Sequence, residues 1–219
     1  MRVAALYDVH AMPWALEAVL AEADADALMI GGDFLYGPFP AETLRRVRAL
    51  DAVILRGNCE EEPNDHERNV LSEEELEWAA ALPLAVELDG VVYCHATPTD
   101  NRPPTTAATD EALVVQMFAG VTGTVIIGHT HHQFDRRIGD LRVFNAGSVG
   151  MPYEGDVAAF WAIVEDGEPR HMRTSIDLGQ AVAGLQASEW PASEEFITEN
   201  VLVAVSRDEA IAEIESRRR

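Results

Sequence analysis

Residues 1–34, "MRVAALYDVHAMPWALEAVLAEADADALMIGGDF", decide the fold. "RVAALYD" reads as a short buried strand. In "PWALEAVLAEA" the apolar residues recur at helical spacing, and Pro13 suits a first helical turn because its missing N–H would have no partner there. "ADALMIGGD" is a second strand that closes on glycines and an aspartate. "PAETLRRVRAL" and "DAVILRGN" then repeat the helix and the strand. Strand, helix, strand, helix, strand implies parallel pairing, because parallel neighbours need a crossover connection.

Further along, "LSEEELEWAAAL" reads as an acidic surface helix, and "LAVELDGVVYCHA" as a hairpin turning at "DG". "TPTDNRPPTTAAT" has no periodicity and is expected to be a long loop. "DEALVVQMFAG" predicts a helix and "GTVIIGH" a strand. "QFDRRIGDLRVFNAGS" and "VAAFWAIVEDGEPRHMR" predict antiparallel strands broken at glycines. From about Asp177 the pattern turns helical again. The expectation is a single domain over 1–219 in which 177–219 forms a C-terminal helical extension, with the last arginines a solvated, mobile end.

Composition narrows the function. An apolar content of 47% is ample for a packed core. The net charge is −22, and all sixteen basic residues are arginine. So acidic a surface repels a phosphate backbone, which argues against nucleic-acid polymers as partners. It leaves room for a phosphorylated small-molecule substrate, because metal ions reverse the sign of a pocket locally. Cys59 and Cys94 are too few for a disulfide framework. The first residues lack a basic leader with a long apolar core, and no apolar run approaches a membrane span. A cytoplasmic protein without membrane contact is the expectation, with homo-oligomer formation left open.

The polar residues sit at strand exits. Asp8 and His10 follow the first strand, Asp33 the second and Asn58 the third. His95 ends "VVYCHA", and His129 and His131 end "VIIGHTHH". Residues two apart in an extended chain point the same way, so His129 and His131 face one target. Each position alone has an ordinary reading as a helix cap, a buried histidine or a turn residue. Together, five strand exits bring seven oxygen or nitrogen donors to one rim, where ligands of α/β sheets bind. That combination points to metal.

The order Asp-x-His, Gly-Asp, Gly-Asn, a later His and Gly-His-x-His resembles the calcineurin-like metallophosphoesterases over roughly residues 1 to 165. The likeness is strongest to small bacterial and archaeal phosphodiesterase-type members, which share the style of "FNAGSVGMP". The resemblance implies a four-layer α/β sandwich of two mixed sheets with helices outside. It also implies two divalent transition-metal ions, manganese foremost, with iron, zinc, nickel or cobalt as alternatives. Asp8, His10 and His131 would hold one ion, and Asn58, His95 and His129 the other, with Asp33 bridging. Two metals roughly 3.5–4 Å apart share a water, lower its pKa and direct in-line attack on phosphorus.

Three positions depart from the family pattern. The family usually has a histidine after Gly-Asn, thought to protonate the leaving oxygen, where this chain has Cys59. A neutral thiol is a poor acid, which favours diesters or activated esters. Ala11 stands where glycine is common and resists a positive φ, and Tyr7 replaces a small residue. Arg102 and Tyr36 are candidates for substrate contact. The leading reading is a hydrolase, a metal-dependent phosphodiesterase. Its competitors are a catalytically silent scaffold or regulatory protein of the same fold, and a serine/threonine-type protein phosphatase. "GDFLYGP" lacks the Asp-Arg-Gly those phosphatases carry after the second aspartate.

Overall fold

The computed structural model describes residues 1–218. β1 (Arg2–Leu6), β2 (Ala27–Ile30) and β3 (Ala52–Ile54) pair in parallel, linked by α1 (Pro13–Glu22) and α2 (Pro40–Arg48). Three short helices follow: α3 (Asn58–Glu61), α4 (Asp65–Val70) and α5 (Glu73–Ala80). β4 (Ala85–Leu88) and β5 (Val91–Cys94) form the expected hairpin, in which Asp89 and Gly90 both take positive φ as a type I′ turn requires. After α6 (Glu111–Met117) come β6 (Gly123–Ile127) and the antiparallel pair β7 (Phe134–Ile138) and β8 (Leu141–Asn145). β9 (Ala158–Glu165) and β10 (Glu168–Ser175) make a third and longer hairpin.

These strands form two mixed sheets. The first has the order β10-β9-β1-β2-β3 and the second β4-β5-β6-β8-β7. Each contains three parallel neighbours, β1-β2-β3 and β5-β6-β8, with antiparallel strands outside them.

Period-two alternation sorts the apolar side chains into three interfaces. Val3, Ala5, Tyr7, Met29, Tyr93, Ile126, Phe144 and Ala162 lie between the sheets. Their neighbours Ala4, Leu6, Ile30, Trp161 and Ile163 face outward against α1 and α2 through Leu16, Val19, Leu44 and Val47. On the other side, Cys94, Val125, Ile127 and Val143 pack against α6 through Val114 and Phe118. Three interfaces separate four layers: helix, sheet, sheet, helix. Tyr7 is fully buried between the sheets and donates its hydroxyl to the Ile126 carbonyl at 3.0 Å, tying one sheet to the other.

The C-terminal part comprises α7 (Leu178–Ala187), α8 (Ser193–Phe196), a π-helical turn (Ile197–Val201) and α9 (Arg207–Arg217). Leu185, Trp190, Phe196, Ile197 and Val201 join the apolar layer over the first sheet. α9 crosses to the loop after β5, where Glu215 accepts from the Thr106 and Thr109 hydroxyls. Of the terminal arginines, Arg217 is exposed, whereas Arg218 departs from the expectation of a solvated tail and bonds Glu215, Thr109 and the Pro104 carbonyl; Arg219 lies outside the described residues. Among the described residues no helix is long and apolar enough to cross a membrane.

Candidate metal centre

The rims of the two sheets meet at the carboxyl ends of β1, β2, β3, β5 and β6. Six non-glycine residues there, Asp8, His10, Ala11, Asp33, His129 and His131, have φ between 49° and 68°. Left-handed backbone costs roughly 1–2 kcal/mol per residue, and such strain persists only where its surroundings enforce it. Here hydrogen bonds enforce it: His10 N to Asp33 O at 2.9 Å, Ala11 N to Phe34 O at 3.0 Å, and Phe39 N to Ala11 O at 3.1 Å. The alanine at position 11 therefore does adopt a positive φ, and the loop keeps the shape that glycine would give it.

The side chains form two groups. Ligand atoms of Asp8, His10 and His131 all lie within 4.8 Å of one another, as do those of Asp33, His95 and His129. Asp33 also falls within that distance of His10 and Cys59, so its carboxylate stands between the groups. His131 Nε2 is 3.5 Å from Asp8 Oδ1, and His10 Nε2 and His95 Nε2 are each 3.9 Å from it. His95 Nε2 is 3.4 Å from Asp33 Oδ2.

Hydrogen bonding settles which nitrogens face inward. His10 Nδ1 meets the Tyr36 carbonyl at 3.2 Å, His131 Nδ1 that of Met151 at 2.7 Å, His95 Nδ1 that of Gly31 at 3.0 Å, and His129 Nε2 that of Arg102 at 2.9 Å. A carbonyl only accepts, so each of these nitrogens carries the N–H. In neutral rings the other nitrogens present lone pairs to the centre. His10 Nε2 and His131 Nε2 thus converge at 3.0 Å, and His95 Nε2 and His129 Nδ1 at 3.2 Å. Lone pairs repel at such distances unless a proton or a cation lies between them. Asp8 Oδ1 and Asn58 Oδ1 are buried without a hydrogen-bond donor, which adds two waiting oxygens. Mixed imidazole and oxygen donors, with the far ring nitrogens anchored to carbonyls, fit divalent transition metals.

Electrostatics agrees. Burial, reinforced by the neighbouring His131, pushes His10 down to about 4, and burial with the charge of His95 does the same to His129. Burial also pulls on His95, but the charge and hydrogen bond of Asp33, with Asp8 beyond, outweigh it and raise that ring to about 10. Burial works against ionisation of Asp33 and Asp8; for Asp33 the imidazole of His95 prevails, and for Asp8 those of His131 and His95. Both carboxyls sit below their usual range. His95 therefore keeps a proton where a metal would take its place.

Close backbone packing supports the carboxylates. A Cβ on Gly57 would lie 2.1 Å from Asp33 Oδ1, and one on Gly128 2.5 Å from Asp8 Oδ2. Sequence reasoning missed Glu60. Its buried carboxylate accepts from the backbone N–H of Asp33 (2.8 Å), Phe34 (2.9 Å), Leu35 (3.2 Å) and Gly57 (2.7 Å), clamping the loops after β2 and β3 together. Burial and the charge of Asp33 push its carboxyl up to about 7. Its one sequence signal is a glutamate three residues past the glycine that opens α3, the spacing of a capping box. Asn145 and Ser148, inside "FNAGSVG", fix the last loops through the Gly128 and Asp8 carbonyls.

Asn58 Nδ2 donates to Cys59 Sγ at 3.5 Å. The Cys59 thiol donates to Asp33 Oδ2 at 3.1 Å, and its backbone N–H to Asp33 Oδ1 at 2.9 Å. Burial and the Asp33 charge push that thiol well above its ordinary value, so it is neutral. The Arg102 guanidinium is held by Glu61 at 3.0 Å and Glu62 at 2.8 Å, while its carbonyl orients His129. Tyr36 serves the centre through its carbonyl, and its ring meets His10 edge-on. His132 is buried and turned to the Thr130 carbonyl, and Phe134 packs against its ring.

Residues 1–166 match the calcineurin-like phosphoesterase superfamily domain, and the chain belongs to that superfamily. Among solved structures, a metallophosphoesterase from Sphaerobacter thermophilus is similar with a TM-score of 0.79 at 24% identity, over 94% of this chain and 99% of that one. A hypothetical protein from Pyrococcus horikoshii has a TM-score of 0.72 at 15% identity, over the same shares of the two chains. A novel archaeal phosphodiesterase has a TM-score of 0.50 at 19% identity, over 79% of this chain and 99% of that one. At these identities the likeness is one of fold. No functionally curated protein is significantly similar in sequence.

Proposed function

We propose that this chain is a metal-dependent phosphoesterase that hydrolyses phosphodiesters. The observation that carries the reading is the convergence of four imidazole nitrogens, each fixed by a backbone carbonyl, on two buried carboxylates. Asp8, His10 and His131 would hold one divalent ion and Asn58, His95 and His129 the other, with Asp33 shared. Two such ions, manganese first among the candidates, would supply Lewis acidity and an activated water for in-line attack. The chain's own residues set the geometry for this. Glu60 holds the Asp33 loop against the Asn58 loop, and the Tyr36, Met151, Gly31 and Arg102 carbonyls aim the rings.

Cys59 bears on substrate choice. Its neutral thiol is bonded to Asp33, where it offers little acidity to a departing alkoxide. Phenolates and phosphate-linked groups depart with less help, which supports diesters and activated esters over simple alkyl monoesters. The test uses purified protein stripped of metal and reloaded with manganese. It should cleave bis(p-nitrophenyl) phosphate faster than p-nitrophenyl phosphate, and Asp33→Ala should abolish turnover. Protein inactive on both substrates with every divalent transition metal would point instead to a scaffold of the same fold.

A further inference from the structure

A cleft of about 280 Å³ lies beside the centre, lined by Tyr36, Tyr153, Trp190, Glu195 and Glu199 among others. Two of its residues touch the candidate ligands directly. The Tyr36 ring meets His10 edge-on at 5.7 Å, and the Tyr153 ring stacks on His131 at 4.9 Å. Trp190 packs edge-on against Tyr36 at 5.8 Å. The C-terminal part supplies the acidic side of the cleft, with Glu195 in α8 and Glu199 in the π-helical turn. Both are exposed, and among the described residues neither has an ion-pair partner.

This lining is selective. No lysine, arginine or histidine contributes to it, so an anionic organic group would meet only like charge. Aromatic faces and free carboxylates together suit a cation, which gains cation–π attraction from the rings and Coulomb attraction from the glutamates. Because the same tyrosines border His10 and His131, a group joined to phosphate by a short alkyl chain would reach the cleft while its phosphate stayed at the centre. We infer that the cleft binds the ammonium end of an aminoalkyl phosphate ester, of choline or ethanolamine type. This specificity rests on the phosphoesterase reading for its phosphate site, and on the cleft alone for its ammonium site.

The test compares two diesters on the manganese-loaded full chain: p-nitrophenyl phosphorylcholine and its isostere with an uncharged tert-butyl end, p-nitrophenyl 3,3-dimethylbutyl phosphate. The choline ester should have a kcat/KM about tenfold higher. In the Glu195→Gln/Glu199→Gln double variant the ratio should fall to within about twofold of unity. That variant moves the net charge only from −22 to −20, so a preference arising from the bulk acidic field would survive it. Equal rates for the two esters, a ratio unmoved by the double variant, or preference for a nucleoside p-nitrophenyl ester would each overturn the inference. If no diester turns over with any metal, the hydrolase reading fails, and calorimetric binding decides the cleft separately. Phosphocholine binding more tightly than 3,3-dimethylbutyl phosphate, with the difference lost in the double variant, would uphold the ammonium site. Equal binding would refute it.

Discussion

With His95 as a ligand, as proposed, metal uptake is a proton exchange whose size can be counted. In the metal-free protein its ring is raised to about 10, whereas His10 and His129 are lowered to about 4. Between pH 7 and 8 the first therefore holds a proton and the other two do not. A metal held as proposed would need the His95 Nε2 lone pair, so its binding would expel that proton. With a pKa about 2 units above pH 8, the displacement costs about 2.7 kcal/mol, roughly a hundredfold in affinity. Affinity should rise about tenfold per pH unit over this range from His95 alone. Calorimetry in two buffers of different ionisation enthalpy counts the protons released, and His95→Asn should lower the count at pH 7.5 by about one. An unchanged count in His95→Asn would refute this electrostatic account of the centre. The same shift governs stability. A ring whose folded pKa is raised contributes stability present below 6.5 and lost as pH rises through about 10, so the metal-free protein should weaken across that window.

Glu60→Ala would strand the four backbone donors of Asp33, Phe34, Leu35 and Gly57. Urea unfolding should show a loss of about 3–5 kcal/mol, less than the sum of four orphaned groups because water enters the space; a loss below about 1 kcal/mol would remove the clamp from the account. Cys59→His should raise turnover of a simple alkyl phosphate monoester by about tenfold or more if an acid is missing there, and unchanged kinetics would make the thiol a packing group. Glu215, lowered to about 2 by hydrogen bonds from Arg218, Thr106 and Thr109 that outweigh its burial, contributes stability present above 4.5 and lost as pH falls through about 2. Hydrogen exchange should accordingly rise first in α9 and residues 105–109 on acidification.

The strands and the gathering of polar residues at strand exits were legible because both follow from short-range rules. Apolar runs such as "GTVII" end abruptly at a polar residue, and parallel strands deliver those ends to one rim. Hairpin turns were legible at Asp89-Gly90, where side-chain chemistry and required φ agree. Ala11 misled because propensity is a local quantity, while its positive φ is imposed by Phe34 and Phe39 from another loop. Glu60 was invisible for a related reason: nothing in "NCEE" announces that three of its four donors come from the turn after β2. The acidic composition likewise gave no hint that Arg102 would be spent on Glu61 and Glu62 while its carbonyl faced His129.

The carbonyls that hold the four rings belong to segments distant in sequence from the histidines they serve: Tyr36 for His10, Gly31 for His95, Arg102 for His129 and Met151 for His131. Each imidazole is aimed by a neighbour's backbone and not by its own turn. Transplanting "GHTHH" or "YDVHA" into another scaffold would carry the ligands but leave their bearings behind. Conversely, an insertion near residue 102 or 151 would re-aim His129 or His131 without altering a single side chain of the candidate centre.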